Sequence, residues 1–292
     1  EISECLVGSE MCIRDRYRAE LAEIKNKYNE RNRDMMKQIP YGLTDFARIQ
    51  KDNYYYVDKT MFIERIEMQP AYLFLIRPRR FGKSLTLAML EAYYDVVYAN
   101  DFDELFGHLY IGQHPTPKHN CYLIMRFNFS EVSSNVNEVE RSFKLHCCSK
   151  LRDFVFKYED LLGKEIWDVL DEEIQQDPGA FLSAINSYAS RKGNLPIYLL
   201  IDEYDNFTNT ILSTYGTEYY QKATHGEGFV RGFFNVIKAA TTGTGSALQR
   251  MFITGVSPVT MDDVTSGFNI GTNITTDPWF NDLVGFSEAE LR

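Results

Sequence analysis

The chain is poor in the features that commit a sequence to a membrane, a disulfide scaffold or a nucleic-acid surface. No apolar run reaches the roughly 18 residues that a spanning helix requires. The N-terminus has no apolar stretch followed by a small-residue cleavage site, so no secretory signal is predicted. Cysteine is scarce: Cys5, Cys12, Cys121, Cys147 and Cys148 show no CxxC spacing, and the adjacent Cys147 and Cys148 are badly placed to bridge each other. That pattern implies neither a zinc site nor a disulfide framework and predicts a cytoplasmic protein. Positive charge is short as well. Lys plus Arg number 31 against 41 Asp plus Glu, a formal net charge of −10. Such a balance gives no general field for a phosphate backbone, so direct nucleic-acid binding is not supported, and no membrane is expected as a partner. Internal repeats and low-complexity linkers are missing too, which argues against splitting the core.

What is present is ordinary globular material: 292 residues, 44% hydrophobic, rich in Tyr (19) and Phe (20). The length suits one large α/β domain, with or without appendages. Residues 6–16 read LVGSEMCIRDR, a string resembling the in-frame translation of a sequencing-library adapter found in metagenomic assemblies. Residues 1–16 are therefore set apart as an artefact, 17–38 as a charged helical lead-in, and 39–292 as the domain.

Within that domain, apolar runs alternate with helical patterns. Tyr54–Val57 reads as a short strand, and Asp58 or Thr60 as the cap of a helix from Met61 to about Glu67. Ala71–Ile76 (AYLFLI) and Ile197–Ile201 (IYLLI) are continuous apolar runs, the pattern of strands buried on both faces of a parallel sheet. Cys121–Phe129 and Met251–Thr254 are further strands. Helices are predicted over 83–98, 136–158, 166–189 with a break at Asp177-Pro178-Gly179, and 229–240. Strands alternating with helices imply crossover units and a mostly parallel sheet. Ser287, with Glu290 three residues on, resembles a capping box opening a helix.

The first candidate site is the run AYLFLI-RPRRFGKS-LTLAMLEAYY, a strand, a loop and a helix. A helix N-terminus presents free N–H groups and the positive end of a dipole, so it attracts anions. Gly82 lets the backbone approach a phosphate, Lys83 can reach the β- and γ-phosphates, and the Ser84 hydroxyl can ligate Mg²⁺. The candidate nucleotide-binding residues are Arg77, Pro78, Arg79, Arg80, Phe81, Gly82, Lys83, Ser84 and Leu85. Arg77 stands where the GxxxxGK[ST] pattern has its first glycine. Arg79 and Arg80 read equally as charge beside a γ-phosphate, as a contact for an acidic partner, or as a solvated loop.

The second is Asp202-Glu203-Tyr204-Asp205 at the end of IYLLI. Asp202 is placed to hold Mg²⁺ with Ser84, and Glu203 to orient and deprotonate an attacking water. Ligands of open α/β sheets bind beyond the carboxyl ends of strands, where both motifs sit. Asp205 reads as a residue that caps or bends the next segment. Thr254, ending MFIT, is either a polar sensor near the γ-phosphate or a β-branched residue finishing a strand. Asn273 and Thr275 are weaker sensor candidates. No guanine-reading Asn-Lys-x-Asp string occurs, which leans toward ATP.

PYGLTDF, YYYVDKT, FLIRPRRFGKSLTLAML, IYLLIDEYD and FITGVSPV, in that order, resemble the bacterial AAA-ATPase-like family over roughly residues 39–292. That family itself carries arginine in place of the first loop glycine. The resemblance implies a three-layer α/β/α P-loop NTPase core using ATP and Mg²⁺. It also implies a truncated C-terminal lid, with a nuclease-like domain expected beyond Arg292. The expected function is an ATP-binding, ATP-hydrolysing module that couples nucleotide state to a partner or C-terminal effector domain. The alternative is a nucleotide-binding switch or scaffold with negligible turnover. Homo-oligomerisation is left open.

Overall fold

The computed structural model describes residues 37–193, 195–243, 245–257 and 270–291. Residues 1–16, read above as an artefact, and nearly all of the expected helical lead-in lie outside these residues. The chain divides into two compact units, 1–41 with 53–55, and 42–52 with 56–292. In the first, the Tyr55 amide donates to the Gln38 carbonyl at 2.8 Å.

The second unit holds the sheet. Its strands are β1 (Tyr72–Ile76), β2 (Leu123–Asn128), β3 (Ile197–Asp202), β4 (Leu248–Gly255) and β5 (Thr272–Asn273). They pair in the order β2-β3-β4-β1-β5, all parallel. The main helices are α1 (Phe46–Lys51), α2 (Phe62–Met68), α3 (Lys83–Tyr94), α4 (Val139–Lys157), α5 (Pro178–Gly193), α6 (Asn206–Tyr215), α7 (Thr217–Thr224) and α8 (Phe229–Thr241).

Alternation along the strands sorts side chains into two layers. Leu123, Met125, Phe127, Ile197, Leu199, Ile201, Met251 and Ile253 join one core with α4, α5, α6 and α8. Ile124, Tyr198, Leu200 and Phe252 join the other with α1, α2, α3 and the segment carrying Phe280, Leu283 and Val284. Both faces are covered, which is why β1 and β3 read as unbroken apolar runs. The architecture is the expected α/β/α sandwich, and its sheet is parallel throughout.

Local departures have local causes. Tyr54–Val57 is not a strand. Tyr56 spends its ring against Phe46 at 5.4 Å, and its hydroxyl reaches Met89 Sδ at 3.3 Å. The helix predicted to reach residue 98 stops at Tyr94, because Asp95 turns extended and its carboxylate accepts the Val97 amide, opening a 3₁₀ turn. The break near Pro178 is observed, with Asp177 accepting from the Ala180 amide. Asp58 closes a turn by accepting from the amide and hydroxyl of Thr60, while α2 starts two residues later without a side-chain cap. Helices α6 and α7 lie where no element was predicted: α6 is polar and β-branched, and α7 is only eight residues long. Glu290 does reach back to the Ser287 amide, at 2.7 Å, over a 3₁₀ turn. Cys121, Cys147 and Cys148 are unbridged. Among the described residues no helix is long and apolar enough to cross a membrane.

Candidate functional site

At its C-terminal end β1 runs into the loop Arg77–Gly82, and α3 begins at Lys83. Arg80 and Gly82 take left-handed backbone angles (φ 68° and 90°), and these fold the loop back over the start of the helix. Thr86 locks that start, its amide and hydroxyl both donating to the Gly82 carbonyl. Pro78, Arg79, Arg80, Phe81 and Gly82 are exposed, Ser84 and Leu85 half-buried, and Lys83 buried. The Lys83 ammonium donates to the Pro78 carbonyl at 3.0 Å. Burial pulls its pKa below the ordinary lysine value, while Asp202, Glu203 and Asp205 pull the other way and Arg79 adds to the lowering. The loop lysine thus sits in the field of the acidic strand end.

Strand β4 lies between β1 and β3 and connects the two halves. Leu75 pairs with Thr254 on one side and Ile201 with Ile253 on the other, so Thr254 comes level with Asp202. The Thr254 hydroxyl donates to Asp202 Oδ1 at 2.6 Å, with both residues fully buried. Asp202 Oδ2 is buried too and has no hydrogen-bond partner among the described residues. A buried carboxylate oxygen without a donor is costly unless something else engages it. A divalent cation or its bound water meets that need, so the residues present fit Mg²⁺. Among the described residues no cluster of three His, Cys, Asp or Glu side chains is arranged to hold a metal alone. Mg²⁺ commonly takes one or two protein ligands and fills the rest with phosphate and water.

Glu203 follows in a left-handed conformation (φ 49°), an uncommon state for a residue with a Cβ. Its carboxylate accepts from Asn206 Nδ2 at 2.8 Å. Asp205 occupies the N-cap position of α6, yet its side chain bonds elsewhere. Fully buried, it accepts from the Val256 and Ser257 amides and from Asn209 Nδ2. The Tyr204 hydroxyl donates to the Ser257 carbonyl at 2.7 Å. A Cβ on Gly255 would stand 2.2 Å from the Tyr204 ring, so only glycine allows this approach. Tyr204 and Asp205 therefore staple the exit of β4 to the acidic turn. Sequence reasoning missed this; the motif marks their positions, but their partners lie some fifty residues away.

Arg77 and the weaker sensor candidates form a second staple. The Arg77 guanidinium donates to the carbonyls of Ile76 and Thr275, and the Thr275 hydroxyl accepts the Ile76 amide at 2.9 Å. Asn273 accepts from the Thr275 amide. These three side chains thus tie β5 and its outgoing turn to the end of β1.

A fully parallel sheet with helices on both faces, and a strand–loop–helix unit level with an acidic strand end one strand away, define a P-loop-like α/β protein. The chain belongs to the AAA-ATPase-like family: the family model described as "Predicted AAA-ATPase" matches residues 40–265. It is also 27% identical over 264 residues to an Azotobacter chroococcum mcd 1 protein described as "Uncharacterized protein in vnfD 5'region". That match covers 87% of this chain and 44% of the relative, so the chain spans less than half the relative's length. No solved structure matches.

Proposed function

We propose that the chain binds Mg·ATP between the Arg77–Leu85 loop and the Asp202-Glu203 turn, and hydrolyses it. The observation that carries this reading is Asp202, buried in the field of Lys83 with one oxygen bonded to Thr254 and the other without a partner among the described residues. In it, the loop amides and the start of α3 hold the phosphates, and Lys83 leaves the Pro78 carbonyl for the β- and γ-oxygens. Ser84 and Asp202 hold Mg²⁺, which when bound neutralises charge developing on the transferred phosphoryl group. Thr254 fixes the Asp202 carboxylate. Glu203 accepts a proton from water as the water oxygen attacks the γ-phosphorus and ADP leaves.

Titration calorimetry with Mg·ATP tests this on the chain and on Lys83→Ala, alongside phosphate release by Glu203→Gln. Saturable binding, lost in Lys83→Ala and kept in Glu203→Gln with phosphate release abolished, is the expected result. A folded chain that binds no nucleotide refutes the proposal.

One observation favours the slower alternative, a nucleotide-binding switch. The Glu203 carboxylate is engaged by Asn206, which competes with a water for it. Binding without measurable release, with turnover appearing in Asn206→Ala, would select that reading. Coupling to a partner or to a C-terminal effector domain is the role either form would serve.

A further inference from the structure

Phe81 is a large apolar side chain inside the phosphate loop, and it is 44% exposed. Its carbonyl accepts the Gly285 amide at 2.8 Å, although more than two hundred residues separate them. A Cβ on Gly285 would lie 3.2 Å from the Phe81 ring, so that stretch of backbone runs against the ring. The next residue, Phe286, is 65% exposed. Around it the segment is fixed on both sides. Phe280, Leu283 and Val284 are buried in the core beside α3. Beyond Phe286, Glu290 accepts both the Ser287 amide and the buried Lys59 ammonium, each within 2.7 Å. One exposed aromatic residue of the loop thus lies against a backbone segment that carries a second, Phe286, in the next position, and contacts on both sides of that segment fix it there.

We propose that Phe81 and Phe286 form a stacking shelf for the base of the nucleotide whose phosphates occupy the loop. This rests on the nucleotide reading above and extends it to the other end of the ligand. The shelf is continuous with the phosphate site because Phe81 belongs to both. A flat base removes apolar ring surface from water on each side, and stacking needs no hydrogen-bond pattern, because every base has a π-face. The shelf therefore supplies affinity for a purine nucleotide over bare triphosphate, without choosing adenine over guanine.

The test compares Mg·ATP, Mg·GTP and Mg·tripolyphosphate by calorimetry on the chain, Phe286→Ala, Phe286→Trp and Phe81→Ala. Stacking of 1–3 kcal/mol per base corresponds to a loss of about fivefold to about a hundredfold in affinity for both nucleotides. Phe286→Ala should show that loss with tripolyphosphate binding unchanged. Phe286→Trp should keep nucleotide affinity, and its fluorescence should respond to ATP but not to tripolyphosphate. Equal weakening of nucleotide and tripolyphosphate in both alanine variants, or no weakening in either, overturns the shelf and leaves the phosphate site standing. Failure of the unsubstituted chain to bind any of the three refutes the nucleotide reading, and the shelf with it.

Discussion

Asp202, Asp205 and Gly255 show how single positions around the candidate site are tied to one another. Gly255 is passed so closely by Tyr204 and Asp205 that Gly255→Ala would place a methyl 2.2 Å from a ring carbon and 2.8 Å from a carboxylate oxygen. Overpacking of this kind costs about 1–3 kcal/mol, and urea unfolding should show the midpoint fall accordingly. His146 offers a separate test. It is packed edge-on against Phe129, and its Nε2 is buried with no partner among the described residues. Burial holds its pKa below 6.5, with Glu131 pulling it up and Lys150 pushing it down. The unfolded chain therefore takes up a proton first as pH falls. The stability due to neutral His146 is complete above the unfolded value and is lost as pH drops through 6.5 toward the folded value. His146→Phe should flatten the fall in urea midpoint between about pH 7 and pH 5.

Among the elements, α8 and β4 matter most. Helix α8 seals the core on the face away from α3, and Phe233 meets Phe127 at 5.7 Å and Phe143 at 5.4 Å. Phe233→Ala should cost about 3–5 kcal/mol in denaturant unfolding, since the neighbouring rings cannot collapse fully into the gap. The sequence made some elements plain and hid others for a physical reason. Strands β1 and β3 are legible because burial on two faces demands unbroken apolar runs, and the loop–helix junction because Gly82, Lys83 and Ser84 stand together between an apolar run and a helical pattern. Tyr54–Val57 misled because aromatic β-formers can be used one ring at a time. Helix α6 stayed hidden because Asn, Thr and Ser carry little helical preference, and packing supplies what propensity does not; α7 does carry helix formers, but its eight residues are too few to show a helical period. The partners of Arg77, Asp205 and Phe81 were illegible for another reason: each lies far along the chain, and only the sheet order brings it near.

For the molecule as a whole, a ligand that binds only the folded chain raises the stability of all of it. On the proposed reading, Mg·ATP at about a hundred times its Kd would add about 2.7 kcal/mol, which for a chain of this size would raise Tm by roughly 4 °C. Scanning calorimetry should show that rise in the unsubstituted chain and none in Lys83→Ala. Such a gain is available because the site is assembled from β1, β3 and β4, so the ligand would report on the central sheet and not on one loop.

On the proposed reading, the bond from Lys83 to the Pro78 carbonyl steadies the ammonium before an anion arrives. An ammonium carries three N–H donors, so a single carbonyl does not use up its capacity for incoming oxygens. Chloride or a single carboxylate can meet few of those donors, whereas a polyphosphate offers several charged oxygens at once. The steadied ammonium therefore favours an anion that brings several oxygens to it at once over one that brings a single contact.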